Sequence, residues 1–146
     1  MVYDLKDSLE REQFAKRVEF LLGKHSGCVE LTEKRLQSLS QNNYAHVAIQ
    51  YFALQVGMKA AEVKEAYFKR ACNADIFVRR RYDKILHRER RFMRSTSDLS
   101  PEEMSTAIER FLQWASIEAG IYIPPADEYV AVQRMQHDVQ RNIKKL

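Results

Sequence analysis

At 146 residues, with a net charge of +4, 45% hydrophobic residues, four glycines and three prolines, the chain has the composition of a globular protein long enough to bury its own core. That composition excludes a collagen-like, low-complexity or extended disordered chain, and no apolar run approaches bilayer length. Cys28 and Cys72 stand far apart and match no metal-ligand spacing, so two small buried thiols in a reducing compartment are expected, with no disulfide. Residues 1–30 carry Asp4, Asp7, Glu10 and Glu12 without a long apolar stretch, which reads as a cytoplasmic chain with no secretory leader.

Residues 1–5 are short and partly apolar and read as an opening strand. Asp7 or Ser8 then caps a helix whose apolar positions Phe14, Val18, Leu21 and Leu22 recur at helical spacing until Gly23 and Gly27. In residues 28–32, Val29 and Leu31 alternate with Glu30 and Thr32, the period of a half-buried strand. The polar run LQSLSQNN, residues 36–43, breaks the pattern, and Ser40 is placed to cap the next helix. That helix, from about Gln41 to Val56, is apolar almost all round and is expected at the buried centre of the fold. His46 interrupts it and reads as a core or rim histidine rather than a catalytic one. After Gly57, residues 58–71 continue as a shorter helix with Val63, Ala66, Tyr67 and Ala71 on one side.

Ile76, Phe77 and Val78 lead into residues 79–94, RRRYDKILHRERRFMR, where eight Lys/Arg residues stand against Asp83 and Glu89. A local charge of +6 leaves the rest of the chain slightly acidic. Two short strands joined near residues 82–86, with the arginines on one face, are expected; a charged helical extension also fits the periodicity. Concentrated positive charge attracts phosphate backbones without reading sequence, and arginine suits bidentate phosphate contacts and base stacking better than lysine does. A solvated charged hairpin is the alternative. The candidate nucleic-acid ligands are Arg79, Arg80, Arg81, Lys84, Arg88, Arg90, Arg91 and Arg94. Gln41 and Asn42 join them, because free N–H groups at the start of the central helix can hold a phosphate, although they can equally serve as caps. Tyr82, Phe92 and Trp114 are the candidate base-stacking residues.

Ser100-Pro101-Glu102-Glu103 is a capping-box helix start, and Met104, Ala107, Ile108, Phe111, Leu112 and Ala115 form the buried stripe of a helix that Gly120 stops. Trp114 lies off the centre of that stripe, where a stacking platform, a dimer contact and ordinary packing all fit. Beyond Pro124-Pro125, a helix from about Asp127 carries the narrow stripe Val132, Met135, Val139 and Ile143 and ends in Arg141, Lys144 and Lys145. Residues 126–146 therefore read as an appendage that lies on another surface or pairs with a second chain. The expected fold is α+β, a mainly helical single domain with a small sheet in the order β-α-β-α-α-β-β-α and an added C-terminal helix.

No Gly-rich phosphate loop, nucleophile elbow, CxxC pair or HExxH occurs, and His25, His46, His87 and His137 are scattered over separate elements. Asp83 and Glu89 are explained by charge balance, so no catalytic residue, metal ligand or cofactor is expected; only clustering of distant acids such as Glu30, Glu65 or Glu102 leaves nuclease chemistry open.

Two separated blocks carry a family resemblance. Leu39-Ser40-Gln41-Asn42, opening an aromatic-rich helix, and Arg94-Ser95-Thr96-Ser97, preceding a helix that ends in EAGIYIP, resemble the phage NinB family, also called Orf recombination proteins. The resemblance spans roughly residues 29–124, and it makes residues 1–125 a DNA-binding domain. It implies a homodimeric single-stranded DNA-binding protein that helps load a recombinase onto strands coated by single-strand-binding protein. The chain departs from the family at Gln37, where a basic residue is common and the nearest here is Arg35, and in its final helix. The leading expectation is thus a recombination accessory of a phage, prophage or mobile element that binds single-stranded DNA and no membrane. An adaptor that docks an acidic partner through the basic face and C-terminal helix is the alternative, and a metal-dependent nuclease a third.

Overall fold

A computed structural model of the protein describes residues 2–25, 27–33 and 39–146. The fold is mainly helical α+β, 62% helix, with a small two-stranded antiparallel sheet. The chain divides into two compact units, residues 1–37 and 38–146.

In the first unit, helix α1 (Ser8–Gly23) starts at Asp7, whose carboxylate accepts the N–H groups of Leu9 and Glu10 at 2.8 and 3.3 Å. No residue of α1 is buried, although Tyr3 and Phe14 meet ring to ring at 5.5 Å. The strands expected at residues 1–5 and 28–32 are not formed among the described residues. Val29 and Leu31 are exposed, and among the described residues no neighbouring strand supplies the ladder that alternating side chains alone cannot provide. Residues 34–38, including Arg35 and Gln37, lie outside the described residues.

The second unit is built on helix α2 (Gln41–Val56), which begins at the Ser40 cap and ends at Gly57 in the left-handed region, φ 72°. Its residues Tyr44, Ala45, Ala48, Ile49, Phe52 and Ala53 are buried, as the near-continuous apolar pattern requires. The short helix α3 (Ala60–Val63) runs into a π-helical stretch, Lys64–Ala71, and a short helix α4 (Ala74–Phe77) follows. The wider i→i+5 bonding changes the angular step, so Phe68 and Lys69 turn inward where a regular helix would bury Ala66 and Ala71. Lys69 is satisfied there by Glu65 at 3.1 Å and by the Phe77 ring at 5.5 Å. Fully buried Asn73 donates to the carbonyls of Phe68 (2.8 Å) and Ala107 (3.1 Å), tying this stretch to helix α5 (Pro101–Ala119).

The capping box of α5 is present, with the Glu103 N–H donating to Ser100 Oγ at 3.2 Å and the Ser100 N–H to Glu103 Oε1 at 3.1 Å. Phe111 packs its ring against Phe52 at 5.4 Å and Phe68 at 5.5 Å, joining α5 to α2 and the π-helix. Helix α6 (Tyr129–Arg141) corrects the expectation of an appendage in residues 126–146. It packs on α2, with Val132 and Met135 in the same buried cluster as Phe52 and Phe111 and with Val139 also buried. The narrow stripe was the sign of a helix seated on the chain's own α2. Tyr44 helps to seat it, since its hydroxyl donates to the Pro124 carbonyl at 2.6 Å across the turn that leads into α6. The cysteine expectation also divides, because Cys72 is half-buried but Cys28 is exposed.

Candidate nucleic-acid interface

The basic segment folds as the expected hairpin, strand β1 (Val78–Asp83) against strand β2 (Arg88–Met93). The register pairs Arg79 with Phe92, Arg80 with Arg91, Arg81 with Arg90, Tyr82 with Glu89 and Asp83 with Arg88. Directly opposed residues share a face and successive residues alternate. Arginines therefore stand on both faces, not one: Arg80 and Arg91 with Tyr82 on the first, Arg79, Arg81, Arg88 and Arg90 with Phe92 on the second. Two of the six cross-strand pairs oppose like charges, an arrangement that destabilises an isolated hairpin.

The base of the ribbon is held by Arg94 and Arg79, and that changes their expected role. Arg94 pairs with Glu103 at 2.9 Å and donates to the carbonyls of Asp98 (2.8 Å) and Ile76 (3.3 Å), while its backbone N–H donates to Phe77 O at 2.9 Å. The Arg94 guanidinium, together with the Ser100 N–H, holds the Glu103 carboxyl down to about 2. Arg79 donates to the Asp75 and Val78 carbonyls at 3.0 and 3.2 Å. These two arginines anchor the hairpin to α4 and α5, Arg94 through both Nη atoms and Arg79 through Nη1.

Beyond that base the ribbon is exposed. Arg80, Lys84, Arg88 and Arg91 have no ion pair or hydrogen bond to another described side chain, and Arg81 lies over the Phe92 ring at 5.7 Å. Arg90 is shared with Asp83 at 3.3 Å. Tyr82 and Phe92 are 58% and 44% exposed on opposite faces, each within the arginine array. Residues 84–87 close the hairpin. There Asp83 Oδ1 accepts the N–H groups of Ile85 and Leu86 at 2.9 and 3.0 Å, which lowers its pKa, and His87 takes a left-handed φ of 51°.

Two open grooves follow the ribbon. One is lined by Arg81, Tyr82, Lys84, Arg90, Arg91 and Phe92, among others. The second runs from Arg91, Phe92 and Met93 to Arg70 on the π-helix. Arg70 was missed by the sequence reading because it lies outside the charge run, and only the fold brings it to the same groove as Arg91.

Gln41 and Asn42 divide. The Gln41 side-chain amide donates to Pro101 O at 3.0 Å and to Ser105 Oγ at 3.1 Å, so it clamps the start of α2 to the start of α5. Asn42 is exposed. Because Arg94 grips Glu103 and Asp98 at the same end of α5, the blocks around Ser40-Gln41 and Arg94-Ser95 meet there although they are far apart in sequence. Trp114 packs rather than presenting a free platform. It stacks on Tyr67 at 5.1 Å and 28° and lies near parallel to Phe111 at 6.2 Å. His46, half-buried, has its pKa lowered by burial and then by Lys64.

Among the described residues no three His, Cys, Asp or Glu side chains form a metal-binding group, and no helix is long and apolar enough to cross a membrane. Compared with protein-family models, with curated proteins and with solved structures, the chain matches none.

Proposed function

We propose that this chain binds single-stranded DNA with its β1–β2 ribbon and acts, as a cytoplasmic homodimer, as a recombination accessory protein of phage or mobile-element type. The observation that carries the proposal is the ribbon's unspent charge. Among the described residues Arg80, Arg81, Lys84, Arg88 and Arg91 make no ion pair, and Arg80–Arg91 and Arg81–Arg90 face each other across the strands. A phosphate backbone lying along the ribbon relieves that repulsion and releases counterions, so binding is strong at low salt and independent of sequence.

Single strands are favoured over duplex because Tyr82 and Phe92 stand exposed between the arginines on opposite faces. Unpaired bases can stack on such rings while guanidinium groups follow the backbone; bases inside a duplex cannot. The recombination role is supported by the resemblance of the Leu39–Asn42 and Arg94–Ser97 blocks to the NinB family. A recombinase and a single-strand-binding protein are then its partners. The adaptor reading has lost its motivating feature, since Val132, Met135 and Val139 are used inside the chain's own core.

The test is fluorescence anisotropy of matched single-stranded and duplex oligonucleotides over a salt series, with gel filtration for stoichiometry. Salt-sensitive preference for single strands by a dimer is the expected result. Absence of binding even at low salt refutes the proposal.

A further inference from the structure

The ribbon's outermost residues are not charged. Ile85 is 88% exposed and Leu86 50% exposed at the tip of the hairpin, between Lys84 and His87 and beyond the arginines of both strands. This aliphatic pair at the tip of a basic arm is neither in the hydrophobic core cluster nor packed against it, and the turn is closed by the Asp83 carboxylate and backbone N–H groups rather than by these side chains. Asp83 sets that closure. Its Oδ1 accepts both tip N–H groups and its Oδ2 pairs with Arg90, so the tip is held in one conformation by the strand below it. With six residues in each strand at about 3.3 Å per residue, the tip stands about 20 Å from the base of the ribbon.

We propose that Ile85 and Leu86 form a wedge that enters the base stack where single-stranded DNA meets duplex, so that the ribbon selects junctions over uninterrupted single strands. This rests on the single-strand-binding reading above and names the substrate class for it. Aliphatic side chains inserted between base steps are an established way for proteins to unstack DNA, and the cost is least where one neighbour is already unpaired. At a junction the terminal base pair offers an apolar face of the right chemistry for Ile85 and Leu86. The unpaired strand then passes from Lys84 along Arg91 and Arg80, with Tyr82, on the same face of the ribbon, as the next stacking surface. A lipid surface is the other possible apolar destination, but two aliphatic side chains give it little to hold, and the exposed aromatic rings set among arginines match bases better.

The experiment uses the 146-residue chain, a tailed duplex with 2-aminopurine at the first unpaired position, and a single strand of the tail's length. The wild type is compared with the double variant Ile85→Ser/Leu86→Ser and with Ile85→Leu/Leu86→Ile, which keeps the tip aliphatic. The expected result is wild-type preference for the tailed duplex by about tenfold, within the range that one stacking contact supplies, and a change in 2-aminopurine emission on binding. The serine variant loses both while binding the plain single strand within twofold of wild type, and the swapped variant keeps both. Equal circular dichroism spectra and melting temperatures exclude misfolding as the cause. If the wild type binds single strands but the serine variant matches it at the junction, the wedge is refuted and the parent reading stands. If the wild type binds neither DNA, both fall. Loss of binding to phosphatidylglycerol vesicles in the serine variant, with junction binding intact, overturns the wedge in favour of a membrane contact.

Discussion

Replacing Arg80 and Arg91 together with alanine separates a binding role from a structural one, because these two residues oppose each other across the ribbon and neither has an ion pair or hydrogen bond to another described side chain. If the five unpaired cations each neutralise one phosphate, the slope of log affinity against log salt is about −3.5 for a single strand, and removing two brings it to about −2. Between 50 and 200 mM salt the wild type then loses about 100-fold in affinity and the variant about 20-fold. Stability moves the other way. Relieving a directly opposed like-charge pair stabilises the hairpin by a few tenths of a kcal/mol, so the melting temperature is unchanged or slightly raised. Anisotropy over the salt series and a thermal melt read the two effects independently. An unchanged salt slope refutes the ribbon as the phosphate-binding surface, and a large drop in melting temperature refutes the view that these arginines are unnecessary to the fold.

Three further outcomes are expected. The Glu103 carboxyl is held down to about 2, so the stability it contributes through Arg94 is complete above its ordinary value of 4.5 and is lost as pH falls toward 2; Glu103→Gln should flatten the pH dependence of the melting temperature across that window while lowering it at neutral pH. Phe52→Ala should cost about 3–5 kcal/mol in urea unfolding, because the ring is buried against Phe111, Tyr67 and Trp114 and the void cannot be filled by neighbouring rings. Burial pushes the Cys72 thiol up to about 11, so at pH 8 a thiol reagent should modify exposed Cys28 quickly and Cys72 slowly; equal rates, followed by mass spectrometry, would contradict the burial of Cys72.

The local signals in the chain were legible where one short stretch carries the whole cause. Ser100-Pro101-Glu102-Glu103 announces its helix, since cap, proline and reciprocal acid all act within one turn. Asp7, Ser40 and the glycines at 57 and 120 mark helix ends for the same reason. The hairpin's existence was legible in its charge and its turn, but its faces were not, because register decides which side chains stand together and one residue of slip exchanges the two sets. The strand expected at residues 28–32 failed for a related cause: alternation describes one strand, and a strand requires another. The π-helical stretch was invisible because the periodic stripe Val63, Ala66, Tyr67 and Ala71 is itself a proper helical signal, overridden by the burial of Phe68 and Lys69.

Composition and pattern alone determined that this is a mainly helical α+β chain with a concentrated arginine segment, since helix caps, apolar periodicity and net charge are properties of neighbours in sequence. Tertiary structure decided which of those arginines are spent. Arg94 is consumed in anchoring the ribbon and Arg79 is engaged there through Nη1, Gln41 clamps α2 to α5 and Trp114 stacks on Tyr67, whereas Arg70 lines the groove beside the ribbon and Ile85 and Leu86 reach its tip. The physical reason is that a side chain's availability depends on the groups the fold brings within hydrogen-bonding distance of it, and for Gln41 that group, Ser105, lies 64 positions away in the chain.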